Sequence, residues 1–151
     1  MRAIAAYDAK NYAEAFRLGT SACNEGLLRG CNLLGRLYYD GNSVPRSFEL
    51  ANQYFSRACD GGHAGGCSNL GFSYDKGAGV PVDKARAAQL YKQACDGGSA
   101  RGCHNLAFTY EFGGGVTANR QTAIDLYRKS LSIDANFQYS KDGLKRLGQT
   151  P

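Results

Sequence analysis

The apolar positions recur in two helical stripes. Cys67, Leu70, Gly71 and Tyr74 fall at i, i+3, i+4 and i+7, one face of a helix. Ala51, Phe55, Ala58 and Gly62 trace a second stripe, echoed by Ala87, Tyr91, Ala94 and Gly98. Small residues on these stripes allow helices to approach closely, and Tyr, Phe and Leu fill the space between layers. The segments Gly77-Ala78-Gly79-Val80 and Gly113-Gly114-Gly115-Val116 predict helix stops, because glycine readily takes the left-handed conformation just past a helix end. Asp83, following Pro81, predicts the start of the next helix. The Asp-Gly-Gly turns after Cys59 and Cys95 reverse the chain within a few residues, so antiparallel neighbours follow.

These stripes belong to a repeat. The cysteines lie at 23 and 31, 59 and 67, 95 and 103, three C-x7-C pairs spaced 36 residues apart. Ala58-Cys59-Asp60-Gly61-Gly62 matches Ala94-Cys95-Asp96-Gly97-Gly98, and Leu70-Gly71-x-x-Tyr74 recurs from Leu34 and, with Ala107 for glycine, from Leu106. One helical hairpin cannot bury a core alone, whereas stacked hairpins share one. The expected fold is all-α, a right-handed α-solenoid of helix–turn–helix repeats with a 36-residue period. Cysteine-bearing units are expected at residues 13–48, 49–84 and 85–120, after a truncated N-terminal unit at 1–12. A capping unit is expected at 121–151, where Leu131 and Tyr139 stand at the cysteine positions. Its last helix, around Phe137 to Leu147, carries Lys141, Lys145 and Arg146 and reads as solvated.

Composition narrows the class. With 151 residues, 43% hydrophobic, the chain suits one domain or a short array and is too apolar for disorder. No apolar run approaches the ~18 residues needed to cross a bilayer, so no membrane insertion is expected. The net charge of +5 is scattered, without a basic block, so no nucleic-acid partner is expected. Met1-Arg2-Ala3-Ile4 lacks the regions of a signal peptide; either the chain is cytosolic or a leader has been removed.

The run A-x-x-x-Y/F-x-x-A-C-x-x-G, then L-G-x-x-Y-x-x-G-x-G-V, resembles Sel1-like repeats, relatives of the tetratricopeptide repeat. The C-x7-C version, over roughly residues 13 to 131, is similar to the disulfide-stapled subgroup typified by the Helicobacter cysteine-rich proteins. The resemblance implies an exported adaptor that binds a protein or peptide, without a cofactor. It also leaves two other readings: an immunity-type or inhibitor protein that occludes a toxin or enzyme, and a β-lactamase-like hydrolase.

It further implies the pairs Cys23–Cys31, Cys59–Cys67 and Cys95–Cys103. The hairpin reading agrees, since Cys59 ends one helix and Cys67 opens the next, within disulfide reach. Each bridge would close a loop of about nine residues, worth at most about 2.5 kcal/mol in the chain-entropy model. Six paired cysteines point to an oxidising compartment, periplasmic or extracellular. Zinc is the alternative, but each hairpin offers two thiolates where a structural site wants four ligands, and His63 and His104 have no counterparts in the other hairpins.

In the tetratricopeptide relatives the helix carrying L-G-x-x-Y lines a concave groove. Carried over, the resemblance assigns Arg29, Asn32, Arg36 and Tyr39 from the first unit and Ser68, Asn69, Phe72, Asp75 and Lys76 from the second. The third gives Arg101, His104, Asn105, Phe108, Glu111 and Phe112. Asn69 and Asn105 precede the Leu, where relatives hold a peptide backbone with an amide; Leu33 breaks the series, so the groove has a possible gap. Phe72 and Phe108 are either interface anchors or packing against the next unit. Arg29, Arg36 and Arg101 either favour an acidic partner or are isolated surface charges.

Enzyme signals are weak, and a non-enzymatic protein is expected. Ser73-Tyr74-Asp75-Lys76 fits the S-x-x-K of penicillin-recognising enzymes, but Ser-Asp-Asn and Lys-Thr-Gly are absent and Tyr74 serves the core stripe. The glycine clusters follow helices and lack Gly-Lys-Ser/Thr, so they are stops rather than phosphate loops. His63 is expected in a turn, exposed to solvent.

Overall fold

Short polar side chains open five of the helices. Asn11, Ser47, Asp83, Ser99 and Asn119 each accept a hydrogen bond from the backbone N–H three residues on, satisfying a donor that the first turn leaves orphaned. The computed structural model describes residues 1–151 as nine helices without a strand. They are α1 (Arg2–Asp8), α2 (Tyr12–Asn24), α3 (Leu28–Asp40), α4 (Phe48–Asp60), α5 (Ala64–Lys76), α6 (Lys84–Asp96), α7 (Ala100–Phe112), α8 (Arg120–Ile133) and α9 (Gln138–Arg146). At the end of α5, Gly77 takes φ 72°, and its N–H returns to the Ser73 carbonyl.

Each helix packs on its chain neighbours, and α5 also meets α7, the equivalent helix of the next unit. This is the contact pattern of a solenoid. The core is a string of small clusters: Leu33, Leu34 and Leu37 in the first, Phe55 and Leu70 in the second, Tyr91 and Leu106 in the third, and Ile124, Tyr127 and Leu144 in the last. The sequence stripes are buried at Ala51, Phe55 and Ala58 and at Ala87, Tyr91 and Ala94. They stop one position early: Gly62 and Gly98 lie outside, in turns with φ of 96° and 90°.

Close approach is set by glycines facing alanines. A Cβ on Gly66 would lie 2.7 Å from the Ala58 Cβ, and one on Gly102 would lie 2.6 Å from the Ala94 Cβ. Beside these contacts sit the three disulfides, Cys23–Cys31, Cys59–Cys67 and Cys95–Cys103, with Cα separations of 4.6, 4.5 and 4.4 Å. No cysteine remains free, so none offers a thiolate to zinc.

The C-terminal helix carries exposed cations and also makes specific contacts that its sequence does not announce. Lys145 and Arg146 are both exposed, but the Arg146 guanidinium also reaches α7, where it donates to both carboxylate oxygens of Glu111 at 2.7 and 2.8 Å. The Tyr127 hydroxyl donates to the same carboxylate. Gly143 lies so close to the Tyr127 ring that a Cβ would come within 2.5 Å of it. Ion pair and ring packing therefore replace the missing staple.

Candidate functional site

The odd-numbered helices share one face. Tyr7 of α1, Arg36, Tyr39 and Asp40 of α3, Ser68, Asn69 and Phe72 of α5, Arg101, His104 and Asn105 of α7, and Tyr139 of α9 line a single groove of about 430 Å³. Phe55 and Phe137 complete the lining. Successive units present the same helix to the same side, so residues one period apart become neighbours across the groove.

The structure brings together six of the eight residues assigned to partner binding: Arg36, Asn69, Phe72, Arg101, His104 and Asn105. Asn32 joins them indirectly, because Asn69 Nδ2 donates to Asn32 Oδ1 at 2.9 Å. That bond bridges the gap expected at Leu33, which is buried in the core with 2% exposure. Phe108 lies outside the groove lining, beside it. It is 48% exposed and its ring centroid is 4.6 Å from that of Phe112. Phe72 meets Tyr39 of the preceding unit edge-on, yet it and Phe108 both keep ring surface open to solvent.

Two acidic positions carried into the groove rows are already neutralised. Asp75 meets Lys84 Nζ at 2.6 Å and Lys76 Nζ at 3.2 Å; partial burial opposes its charge, but the two lysines hold its carboxyl below the usual range. The Glu111 side chain is only 7% exposed, and Arg146 and Tyr127 outweigh its burial in the same way. Arg36 and Arg101 make no ion pair; the Arg36 guanidinium lies 4.2 Å from the Tyr7 ring centre.

His104 is fixed by a directional chain of hydrogen bonds. Ser130 Oγ donates to the Ala100 carbonyl at 2.8 Å, and Ser140 Oγ donates to Ser130 Oγ at 2.8 Å. Ser140 can then only accept from His104 Nδ1, 3.3 Å away, which assigns the proton to Nδ1 and leaves the lone pair on Nε2. Burial, then Arg146 and Arg101, push the imidazolium down to about 4, against an opposing pull from Glu111. His63 is half-buried at the start of α5, not exposed as its turn position suggested, and burial with Arg29 lowers it too.

The sign for stability follows. Below pH 6.5 the unfolded chain takes up a proton that folded His104 refuses until about pH 4, so stability falls across that window and levels off below it. Allowing for the part of the ring that water reaches, the loss is on the order of 2 kcal/mol. Urea midpoints between pH 7 and 4.5 are expected to fall in the wild type and to fall much less in His104→Asn. Equal slopes would assign the acid sensitivity elsewhere.

Sequence reasoning missed Tyr7, Asp40, Phe55, Phe137 and Tyr139 as groove residues. Asp40 follows Tyr39 directly and occupies the register of Lys76, a signal that was present. Tyr7, Phe137 and Tyr139 lie in the atypical end units, where no repeat register points to the groove. Ser73 of the S-x-x-K match is 0% exposed, and Lys76 is engaged with Asp75, so no acyl group can reach the hydroxyl as folded. No cluster of three or more His, Cys, Asp or Glu is poised to hold a metal ion.

The family model of the Sel1 repeat matches residues 8–27, 28–63, 64–99 and 100–132. The chain belongs to the Sel1 repeat family. In that register each disulfide joins the end of one Sel1 unit to the start of the next. Among solved structures, a Sel1 repeat protein from Oxalobacter formigenes is 27% identical, with a TM-score of 0.82 over 97% of this chain and 58% of that one. The protein c5321, a protective antigen of uropathogenic Escherichia coli with the same fold, is 30% identical with a TM-score of 0.77, over 90% of this chain and 28% of its own. Helicobacter pylori cysteine rich protein B is 29% identical with a TM-score of 0.66, over 82% of this chain and 89% of that one. The chain thus spans little more than half of the first of these proteins and under a third of the second. No curated protein matches it significantly in sequence. Sel1 repeat proteins are typically non-enzymatic scaffolds for protein interaction. The disulfides and the cysteine-rich Helicobacter neighbour fit an extracytoplasmic setting. No helix is long and apolar enough to cross a membrane.

Proposed function

We propose that this Sel1 repeat protein is a non-enzymatic scaffold that holds an extended peptide or protein segment in the groove of the odd-numbered helices. The compartment would be the periplasm or the cell exterior. The observation that carries the reading is the pair Asn69 and Asn105, one period apart on the groove wall. The Asn105 carboxamide makes no hydrogen bond within the protein, and Asn69 keeps its carbonyl oxygen and one N–H open. A peptide backbone offers donors and acceptors that such amides match, and Tyr39, Phe72 and Tyr139 supply rigid apolar walls. Each staple ties a groove helix to the helix behind it before binding, which lowers the ordering cost.

Partner capture from periplasmic or secreted extract tests this. Asn69→Ala/Asn105→Ala is expected to weaken capture at least about tenfold, each lost bond being worth about 1 kcal/mol, with an unchanged far-UV spectrum. Capture at the wild-type level would move the site off the groove.

A further inference from the structure

The groove is unbalanced in its polar groups, and the imbalance specifies what it takes up. Arg36 and Arg101 point cationic groups at it without an ion-pair partner, whereas Asp75 of α5 and Glu111 of α7 are already paired. Its only carboxylate is Asp40, which accepts from the Tyr7 hydroxyl at 3.2 Å. Between the arginine-bearing helices, on α5, stands Ser68. It is 2% exposed, and its hydroxyl has no hydrogen-bond partner, although it lines the groove. A buried hydroxyl left unpaired costs free energy that an incoming acceptor would recover. Donors without acceptors thus come from three successive units, and the imidazole of His104 beside them is held neutral, so the cationic charge of the groove is that of the two arginines.

Resting on the scaffold reading above, we propose that the groove contains a subsite for the carboxylate of an Asp or Glu side chain in the bound segment, seated over Ser68 between Arg36 and Arg101. Guanidiniums suit this role, since each presents a planar fork of N–H donors that matches two carboxylate oxygens. Aromatic walls at Tyr39, Phe72 and Phe137 exclude water around the pair and strengthen it. The bound segment is therefore acidic at one fixed position and apolar or aromatic beside it.

The probe is a displayed library of random dodecapeptides, panned at neutral pH on the disulfide-intact protein. Clones that fail to bind Asn69→Ala/Asn105→Ala define the groove-dependent set. These are expected to carry Asp or Glu at one aligned position. Exchanging that residue for its amide, in the synthetic peptide, is expected to weaken binding at least about tenfold. The difference should shrink severalfold in Arg36→Gln and Arg101→Gln, and fall as salt rises. The His104 titration midpoint, followed by NMR, is expected to rise from about 4 when the acidic peptide binds, and to stay there with the amide peptide. Groove-dependent peptides without an aligned acidic residue, or equal binding of acid and amide, would overturn the subsite and leave the scaffold reading standing. A library that yields no groove-dependent clone would overturn both.

Discussion

A variant with all six cysteines changed to alanine is expected to be largely unfolded at about 37 °C. Each staple closes a loop between residues eight apart, and the chain-entropy model assigns about 2.5 kcal/mol to such a loop. Three of them sum to about 7.5 kcal/mol, comparable with the whole stability of an ordinary domain, about 5–15 kcal/mol. The core has little else in reserve, because it is strung out in clusters of four to eight buried residues rather than gathered in one mass. Removing only Cys59–Cys67 is expected to cost about 2.5 kcal/mol and to leave a folded protein. Urea titration by circular dichroism reads both effects. A hexa-alanine variant as stable as the oxidised protein would show that the staples contribute no net stability.

The second large effect is expected at Gly66. Alanine there should gain about 1 kcal/mol of helix propensity, yet the variant is expected to be destabilised by about 2 kcal/mol net. The added methyl would lie 2.7 Å from the Ala58 Cβ, 2.9 Å from the Cys59 backbone nitrogen and 3.0 Å from the Phe55 carbonyl. None of these atoms can swing away, and the neighbouring disulfide prevents α4 and α5 from separating. Gly114→Ala is the control. Nothing lies within 4 Å of its added Cβ and its φ is not positive, so a gain of about 0.4–1 kcal/mol is expected through the unfolded state. Thermal midpoints of opposite sign for the two variants would bear this out; a fall of similar size in both would show that backbone preference, not contact, governs Gly66.

The sequence made the architecture legible because each repeat copies its physical constraints. Cys67, Leu70 and Gly71 are buried as their spacing requires, and Asp83 caps α6. Repetition also made most of the groove legible, since a register position defines a row once one member is placed. What repetition could not reveal lies where register ends or where partners are distant. Arg146 looks like any exposed cation at a helix end, and only the fold brings it against Glu111, 35 residues away. Tyr7 and Tyr139 belong to end units without a motif, and they reach the groove because the array stacks α1, α3, α5, α7 and α9 along one side. Ser68 reads as an ordinary surface serine until its burial and its idle hydroxyl are seen.

The staples all lie on one kind of turn, joining α2 to α3, α4 to α5 and α6 to α7, whereas the glycine-rich connections from α3 to α4 and from α5 to α6 carry none. Covalently the molecule is a row of cross-linked helix pairs, and the joints between pairs are closed by packing alone, as where the Phe55 ring lies against Gly35 and the Tyr91 ring against Gly71. Across one such joint run the Asn32–Asn69 hydrogen bond and the edge contact of Tyr39 with Phe72, both on the groove side. Opening the joint must break them, so the gape of the array and the spacing of its recognition groups change together. Oxidation therefore ties the two helices within each pair, whereas the register of one pair on the next rests on packing and on these groove-side contacts.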